Sequence, residues 1–420
     1  MNRKLTPFWT LFILTGLNLF NYFDRYVLSA VLPWISSKDK GLNLTDTESG
    51  RLATAFMLGY FITSPFFGYL GDRTSRKWLI GTGIFVWSLG TVLTGYAGTF
   101  AMLVGFRVLV GVGEASYATI SPSYISDTFG TDKRNNALTI FYAAMPVGAA
   151  LGAIIGGMIA AKWGWRHAFI WAGAPGLLLA LVLLPFREPV RGAADGAGQL
   201  VKPRPSDVFK LFRLPEYVLV VGGYVAYTFA LGAFGHWGPT FLHRVHAVPQ
   251  ETAATFFGAV LVVAGLIGTF AGGFAATAWR KRNRAAYAWV LALSILAGVP
   301  FSLAAFMAGS QIVSMIFLAG AMFLLFLSTG PVNTLILETV PANLRASAMA
   351  MSIFLIHLFG DVWSPEIVGR LSDHWQSLQK AVLILPGALV VGGLLWLALA
   401  LRQRRAGATH LNISHAATGK

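Results

Sequence analysis

Twelve stretches of this chain are apolar for long enough to cross a lipid bilayer, and they leave little sequence for anything else. A hydrocarbon core of about 30 Å takes about 20 residues of helix. Such stretches lie near 7–34, 48–70, 78–97, 100–127, 136–160, 166–186, 216–242, 250–278, 285–308, 311–337, 346–370 and 378–401. Hydrocarbon leaves no backbone amide a water partner, so these runs imply helices. Charge is correspondingly scarce: Asp, Glu, Lys and Arg make 12% of the 420 residues, against about 25% in soluble proteins. That excludes a soluble fold, and an apolar content of 55% excludes intrinsic disorder. Absence of cysteine excludes disulfide frameworks, thiolate metal sites and cysteine nucleophiles. The first run is longer than a signal-peptide core and no small-residue cleavage site follows it, so it reads as a retained span.

The net charge of +15 is unevenly distributed. Arg3 and Lys4, Arg73 to Lys77, Lys133 and Arg134, the connection from Arg187 to Arg213, Arg280 to Arg284, Arg345 and the tail from Arg402 put twenty-two basic residues on one face. The other face has eight: Lys38, Lys40, Arg51, Lys162, Arg166, Arg244, Arg370 and Lys380. The positive-inside rule then puts both termini in the cytoplasm of a multi-pass protein of the plasma (inner) membrane. This distribution argues for a bilayer partner and against nucleic acid.

The only long polar connection before the tail is 187–215, with Gly192, Gly196, Gly198, Pro203 and Pro205. It divides the chain into a six-span bundle (1–186), a cytoplasmic linker (187–215), a second six-span bundle (216–402) and a tail (403–420). The halves repeat. Asp127, Thr128, Arg134 and Ala137 recur 211 residues later as Glu338, Thr339, Arg345 and Ala348. Ile155, Gly157 and Trp163 recur 212 residues later as Ile367, Gly369 and Trp375. Two six-helix bundles related in this way fit a secondary transporter that binds substrate between them; a monomer suffices for that mechanism.

After span 2 comes Gly68-Tyr69-Leu70-Gly71-Asp72-Arg73-Thr74-Ser75-Arg76-Lys77. The glycines permit close helix contact, and Asp72 can pair with basic groups at a helix end. The loop reads as a gate, or else as an ordinary charged turn. It resembles the signature loop of the major facilitator superfamily, which implies an all-α fold of twelve transmembrane helices in two pseudo-symmetric bundles. The counterpart near Gly272 to Arg284 keeps the glycines and basic residues but lacks the acid. Asp127 with Arg134, and Glu338 with Arg345, read as matching gate pairs.

Ionisable groups at membrane depth cost at least about 2.5–3.5 kcal/mol each, and are functional candidates by default. Span 1 carries Asp24 and Arg25, and span 4 carries Arg107 and Glu114. Arg107 and Glu114 are seven residues apart, hence on one helix face. Antiparallel spans 1 and 4 can set Asp24 between Arg107 and Glu114 in depth. Two carboxylates and two guanidinium groups then balance. Anion capture by an arginine would release a carboxylate to take a proton, which makes Asp24 and Glu114 proton-coupling candidates, Arg107 an anion anchor and Arg25 its orienting partner. The competing interpretation is a permanent ion-pair cluster that fixes helix packing.

Asn21-Tyr22-Phe23-Asp24-Arg25 resembles the span-1 motif of the Spinster family and of the wider organic-anion:cation symporters. The run from Arg107 through Gly113-Glu114-Ala115-Ser116-Tyr117 to Pro122 is closer to Spinster proteins, and His357-Leu358-Phe359-Gly360-Asp361-Val362-Trp363-Ser364-Pro365 resembles that family's span 11. The resemblance implies a carrier of lysolipids, with an anionic or zwitterionic head group as substrate. A water-soluble organic anion such as a sugar acid is the alternative. A lipid enzyme is disfavoured because no Gly-x-Ser-x-Gly elbow or clustered metal site is evident.

Other candidates stay open. His357 and Asp361 share a helix face and can hold a head group or a proton, or simply pack. Tyr117, Ser121 and Asn333 either line a cavity or pack between helices. Gly235-His236-Trp237-Gly238-Pro239 is expected to break or bend span 7, and Pro146 and Pro331 to kink spans 5 and 10. His243 and His246 lack a third ligand, so no metal or cofactor is expected. Asn412-Ile413-Ser414 matches a glycosylation triplet on the face expected to be cytoplasmic.

Overall fold

The computed structural model describes every residue except 1, 2, 5, 38–40, 45, 183, 196–203, 419 and 420. Lys38, Lys40, Gly196, Gly198, Lys202, Pro203 and Lys420 thus lie outside the described residues, as do the side chains of Arg3, Lys4, Pro205, Asn412 and Ser414. The α-helices are, in order, α1 (Pro7–Ser36), α2 (Asp46–Arg73), α3 (Arg76–Thr94), α4 (Phe100–Thr128), α5 (Thr131–Trp163), α6 (Trp165–Leu179), α7 (Pro215–His246), α8 (Gln250–Arg280), α9 (Ala286–Met307), α10 (Gln311–Phe326), α11 (Thr329–Glu338), α12 (Arg345–Ile356), α13 (Ser364–Trp375), α14 (Leu378–Ala381) and α15 (Ile384–Thr418).

Ten helical stretches among the described residues are long and apolar enough to cross a membrane; α10–α11, α12–α13 and α14–α15 each count as one. The other two of the twelve membrane helices are α1 and α6. α1 has 30 residues, about 45 Å, and carries Asn18, Asn21, Asp24 and Arg25. α6 has only 15. Local signals set several boundaries. Thr6 accepts from Trp9 N ahead of Pro7, so α1 begins with a capped first turn and a proline where no amide is needed. Thr99 caps α4 in the same way. α5 stops at Gly164, whose φ of 88° an L side chain would resist.

By packing, the chain forms two compact units: 1–209 with 340–354, and 210–339 with 355–420. In the first, α1 lies along α5, α2 along α4, and α3 against α4 and α6. In the second, α7 lies along the α12–α13 junction, α8 along α10 and α11, and α9 against α10 and α15. The pairings repeat with a shift of six spans, as the sequence matches require. A two-residue parallel ladder joins Arg3–Lys4 to Phe186–Arg187, a small departure from an all-helical chain.

Small residues set the helix spacing of the first unit. A Cβ on Gly152 would stand 2.2 Å from Phe23 O, and one on Gly111 would stand 2.2 Å from Phe56 O. Backbones thus touch at the α1–α5 and α2–α4 crossings, where side chains would hold them apart. Buried polar groups bond across the same contacts: Asn18 Nδ2 donates to Phe141 O at 2.8 Å. In the second unit Trp396 Nε1 donates to Val220 O at 2.9 Å.

Span 7 is not broken at its proline. α7 is continuous through Gly235 to Pro239, and Trp237 Nε1 there donates to Pro365 O at 2.9 Å. Interruptions occur instead between α10 and α11, just before Pro331, and at the π-turn His357–Asp361, where Gly360 has φ −106° and ψ −105°. Pro146 sits inside α5 without interrupting it.

Gly152→Val should force α1 and α5 apart and cost about 1–3 kcal/mol. Thermal unfolding of the purified protein should show a clear drop for Gly152→Val and almost none for Gly157→Ala, since nothing lies within 4 Å of a Cβ at Gly157. Equal melting of all three proteins would contradict the close-contact account.

Candidate functional site

Consecutive helix residues point about 100° apart, so Asp24 and Arg25 take different partners. Arg25 takes the side toward α4: its Nε and Nη2 donate to Glu114 Oε2 at 3.1 and 2.5 Å. Asp24, 2% exposed, lies beside Trp87 and Thr91 of α3, within electrostatic reach of Glu114 and Arg107. The ion pair across α1 and α4 is therefore Arg25–Glu114.

The cluster is left partly unsatisfied. Among the described residues Arg107 Nε and Nη2, Asp24 Oδ1 and Glu114 Oε1 are buried with no hydrogen-bond partner. Arg107 is 1% exposed, and its guanidinium lies 5.4 Å from the Phe169 ring centroid. A cavity of about 240 Å3 has both Arg25 and Arg107 in its wall, with Tyr26, Leu28, Ser29, Ala53, Phe56 and Met57. Two guanidinium groups thus share one cavity wall. Three rings surround the Arg25 guanidinium: Tyr22 and Phe56 at 4.8 Å and Tyr60 at 5.2 Å. Sequence reading passed over these rings, although Tyr22 stands three residues before Arg25.

The remaining candidates fall into separate places. Tyr117 is fully buried and donates to Leu14 O at 2.5 Å, with Trp87 edge-on at 5.4 Å, so it ties α4 to α1 and α3. Ser121 is buried on the same helix. In the second unit, Asn333 Nδ2 donates to Thr329 O at 2.8 Å. His357 Nδ1 lies 2.8 and 3.1 Å from the Asp361 carboxylate oxygens, with the pair spanning the π-turn. His243 Nδ1 lies 2.8 Å from Val248 O. A polar recess of about 510 Å3, lined by Arg244, Ser372, Asp373 and Gln376 among others, has no buried unpartnered group among the described residues.

The α2–α3 end of the first unit is held by charge. Asp72 accepts from Ala346 N at 3.0 Å and Ser347 N at 2.7 Å, capping α12 where the first-turn amides have no helical partner. A Cβ on Gly68 would stand 2.2 Å from Ala350 Cβ, so the glycine admits α12. Arg73 turns to Tyr69. Lys77 donates to Leu184 O and Phe186 O at 2.9 and 3.0 Å. Arg76 is the buried centre: Nη1 meets Asp127 Oδ2 at 2.5 Å and Nε meets Glu188 Oε1 at 2.8 Å.

Asp127 and Arg134, expected to pair with each other, take other partners. Asp127 pairs with Arg76 and, at 3.1 Å, with Arg345. Arg134 pairs with Asp195 at 2.7 Å, and Arg345 also reaches Asp195, at 2.5 Å. Glu338 pairs with Arg280 at 3.3 Å, within the second unit. The reason is helix packing: α3 lies on α4, which brings Arg76 to Asp127, while the chain after α6 folds back with Glu188 and Asp195. Both acids were legible as rare negative charges in a basic linker, but their targets were not. Burial alone would raise the Asp195 carboxyl. Hydrogen bonds and charge from Arg134 and Arg345 instead hold it below the ordinary carboxylate range.

A family model described as Major Facilitator Superfamily matches residues 14–365. The chain is 35% identical to Protein spinster homolog 1 of Xenopus laevis, over 93% of this chain and 80% of that protein. It is 34% identical to the sphingosine-1-phosphate transporter SPNS2 of Danio rerio, over 95% of this chain and 85% of the relative. Among solved structures, a bacterial homologue of the human lysosomal transporter Spinster aligns with a TM-score of 0.64 at 23% identity, over 95% of this chain and 98% of that one, a likeness of fold.

Arg345→Gln should destabilise the protein by about 2–3 kcal/mol, because two carboxylates lose a shared cation. Asp195→Asn should cost no more than about 1 kcal/mol, since that carboxylate is partly exposed and screened. A carboxyl held low in the fold stabilises above its unfolded pKa of about 3.9 and loses that contribution as pH falls through the folded value. The difference in melting midpoint between the parent and Asp195→Asn should be flat above about pH 5 and close below about pH 4. A difference that widens on acidification would rule this role out.

Proposed function

The chain belongs to the major facilitator superfamily and, within it, to the spinster family, and from that membership we propose a proton-coupled carrier of a lysolipid or related amphiphilic anion, working by alternating access. It is a membrane transporter and not an enzyme. One observation carries the finer reading: the cavity walled by Arg25 and Arg107, with Arg107 donors unpartnered and Glu114 bonded to Arg25.

A guanidinium suits a phosphate head group geometrically. Leu28, Phe56 and Met57 give the same cavity an apolar side against which a chain can begin. A relative named for sphingosine 1-phosphate, a phosphate on a single chain, supports that class. The coupling follows from charge. With both carboxylates ionised, Asp24 and Glu114 balance Arg25 and Arg107. An arriving anion adds negative charge in a low-dielectric site, and a proton on Glu114 or Asp24 restores the balance. Glu114 is the acid nearest the switch, because its protonation frees Arg25 to meet the anion beside Arg107. In the same reading Asp72, Arg73, Arg76, Lys77, Asp127, Arg134, Glu338 and Arg345 belong to the gating charges. His357, Asp361 and Asn333 are the second unit's candidates for substrate contact, and Tyr117 and Ser121 support α4. The excess of basic residues on one face supports cytoplasmic termini.

Purified protein should be stabilised against heat by lysophosphatidic acid or sphingosine 1-phosphate more than by gluconate, with the effect present at about pH 5.5 and altered at about pH 8. A ligand at a hundred times its Kd adds about 2.7 kcal/mol, a readable shift. Arg107→Gln should abolish it. Stabilisation by gluconate alone would replace the lipid with a water-soluble anion. In proteoliposomes, Asp24→Asn should lose uptake driven by a pH gradient; undiminished drive would remove Asp24 from the coupling.

A further inference from the structure

The Arg25 side chain is held by more than its acid. Tyr22, three residues earlier on α1, and Phe56 and Tyr60, one turn apart on α2, place three rings within 4.8 to 5.2 Å of its guanidinium carbon. The two α2 rings are stacked at 5.9 Å and 22°. Both bonding nitrogens of Arg25 go to a single oxygen, Glu114 Oε2, so neutralising one carboxylate removes the whole salt bridge. A bare guanidinium in such a site would be costly. The π faces attract a cation whatever the charge on Glu114.

We propose that Tyr22, Phe56 and Tyr60 form an aromatic seat that keeps Arg25 at the cavity wall whether or not Glu114 is ionised. They are positioning residues for proton coupling: they lower the cost of breaking the Arg25–Glu114 pair while leaving the guanidinium where an anion can meet it. Among the described residues Arg107 lies over one ring, Phe169. This assignment rests on the coupling reading of Glu114. The charged and titratable groups facing Arg25 are Glu114 from α4, Tyr22 from its own helix and Tyr60 from α2. Asp24 and Arg107 act on Glu114 from α1 and α4.

Infrared titration of the full chain in nanodiscs reads this without a transported ligand. The protonated-carboxyl band of Glu114 is the one lost in Glu114→Gln. With a ring removed, protonation must strand the guanidinium, so the midpoint should move to more acid pH by roughly one unit in Phe56→Leu and Tyr60→Leu. Tyr60→Phe and Phe56→Tyr keep a ring and should stay near the parent. Trifluorinated phenylalanine at position 56 preserves shape but drains the π face, and should move the midpoint the same way even if the leucine variants fold poorly. A Glu114 band that titrates in the parent and is unmoved by leucine or fluorination would overturn the seat alone. No titrating Glu114 band in the parent would overturn both the seat and the coupling reading.

Discussion

Two carboxylates and two guanidinium groups inside one helix bundle set the terms for the rest of the first unit. Each is costly at that depth unless compensated. The Arg25–Glu114 bridge meets part of the cost, and aromatic faces meet more. What remains is the unpartnered edge of Arg107, together with one oxygen each on Asp24 and Glu114. These buried groups beside a cavity are what the proposed anion and proton sites rest on.

That arrangement depends on close helix contact. α1 reaches α4 only because α5 and α2 approach their neighbours through glycine: Gly152 beneath Phe23, and Gly111 beneath Phe56. The second contact also fixes the ring wall, since Phe56 and Tyr60 lie on the α2 face that meets Gly111. Small residues at these crossings therefore help decide where Arg25 can sit. In membranes this packing is the main source of helix association, because lipid is as apolar as the side chains it replaces.

At the α2–α3 end the same unit uses polar groups differently. Asp72 supplies a helix cap, while Arg76, Asp127, Glu188, Arg345 and Asp195 form a chain of alternating sign. Each ion there has at least one partner of opposite sign, and the network holds this end of the bundle together. The segment 340–354 joins the first unit through this network, although it follows the linker by more than a hundred residues.

Span count, duplication and the four intramembrane charges were legible in the sequence, because lipid punishes any other reading of long apolar runs and of ions within them. Membership of the superfamily and of the spinster family was legible for a related reason: the motifs around Asp24, Asp72, Glu114 and His357 are local in sequence. Pairing was not. Which of Asp24 and Arg25 faces Glu114 depends on helix rotation, which periodicity leaves free. Whether Asp127 meets Arg134 or Arg76 depends on where α3 and the linker fold back. The three rings around Arg25 come from two helices. Sequence determined which ions had to be buried; only the tertiary structure, through helix rotation and close packing, decided which of them were neutralised and which were left facing a cavity.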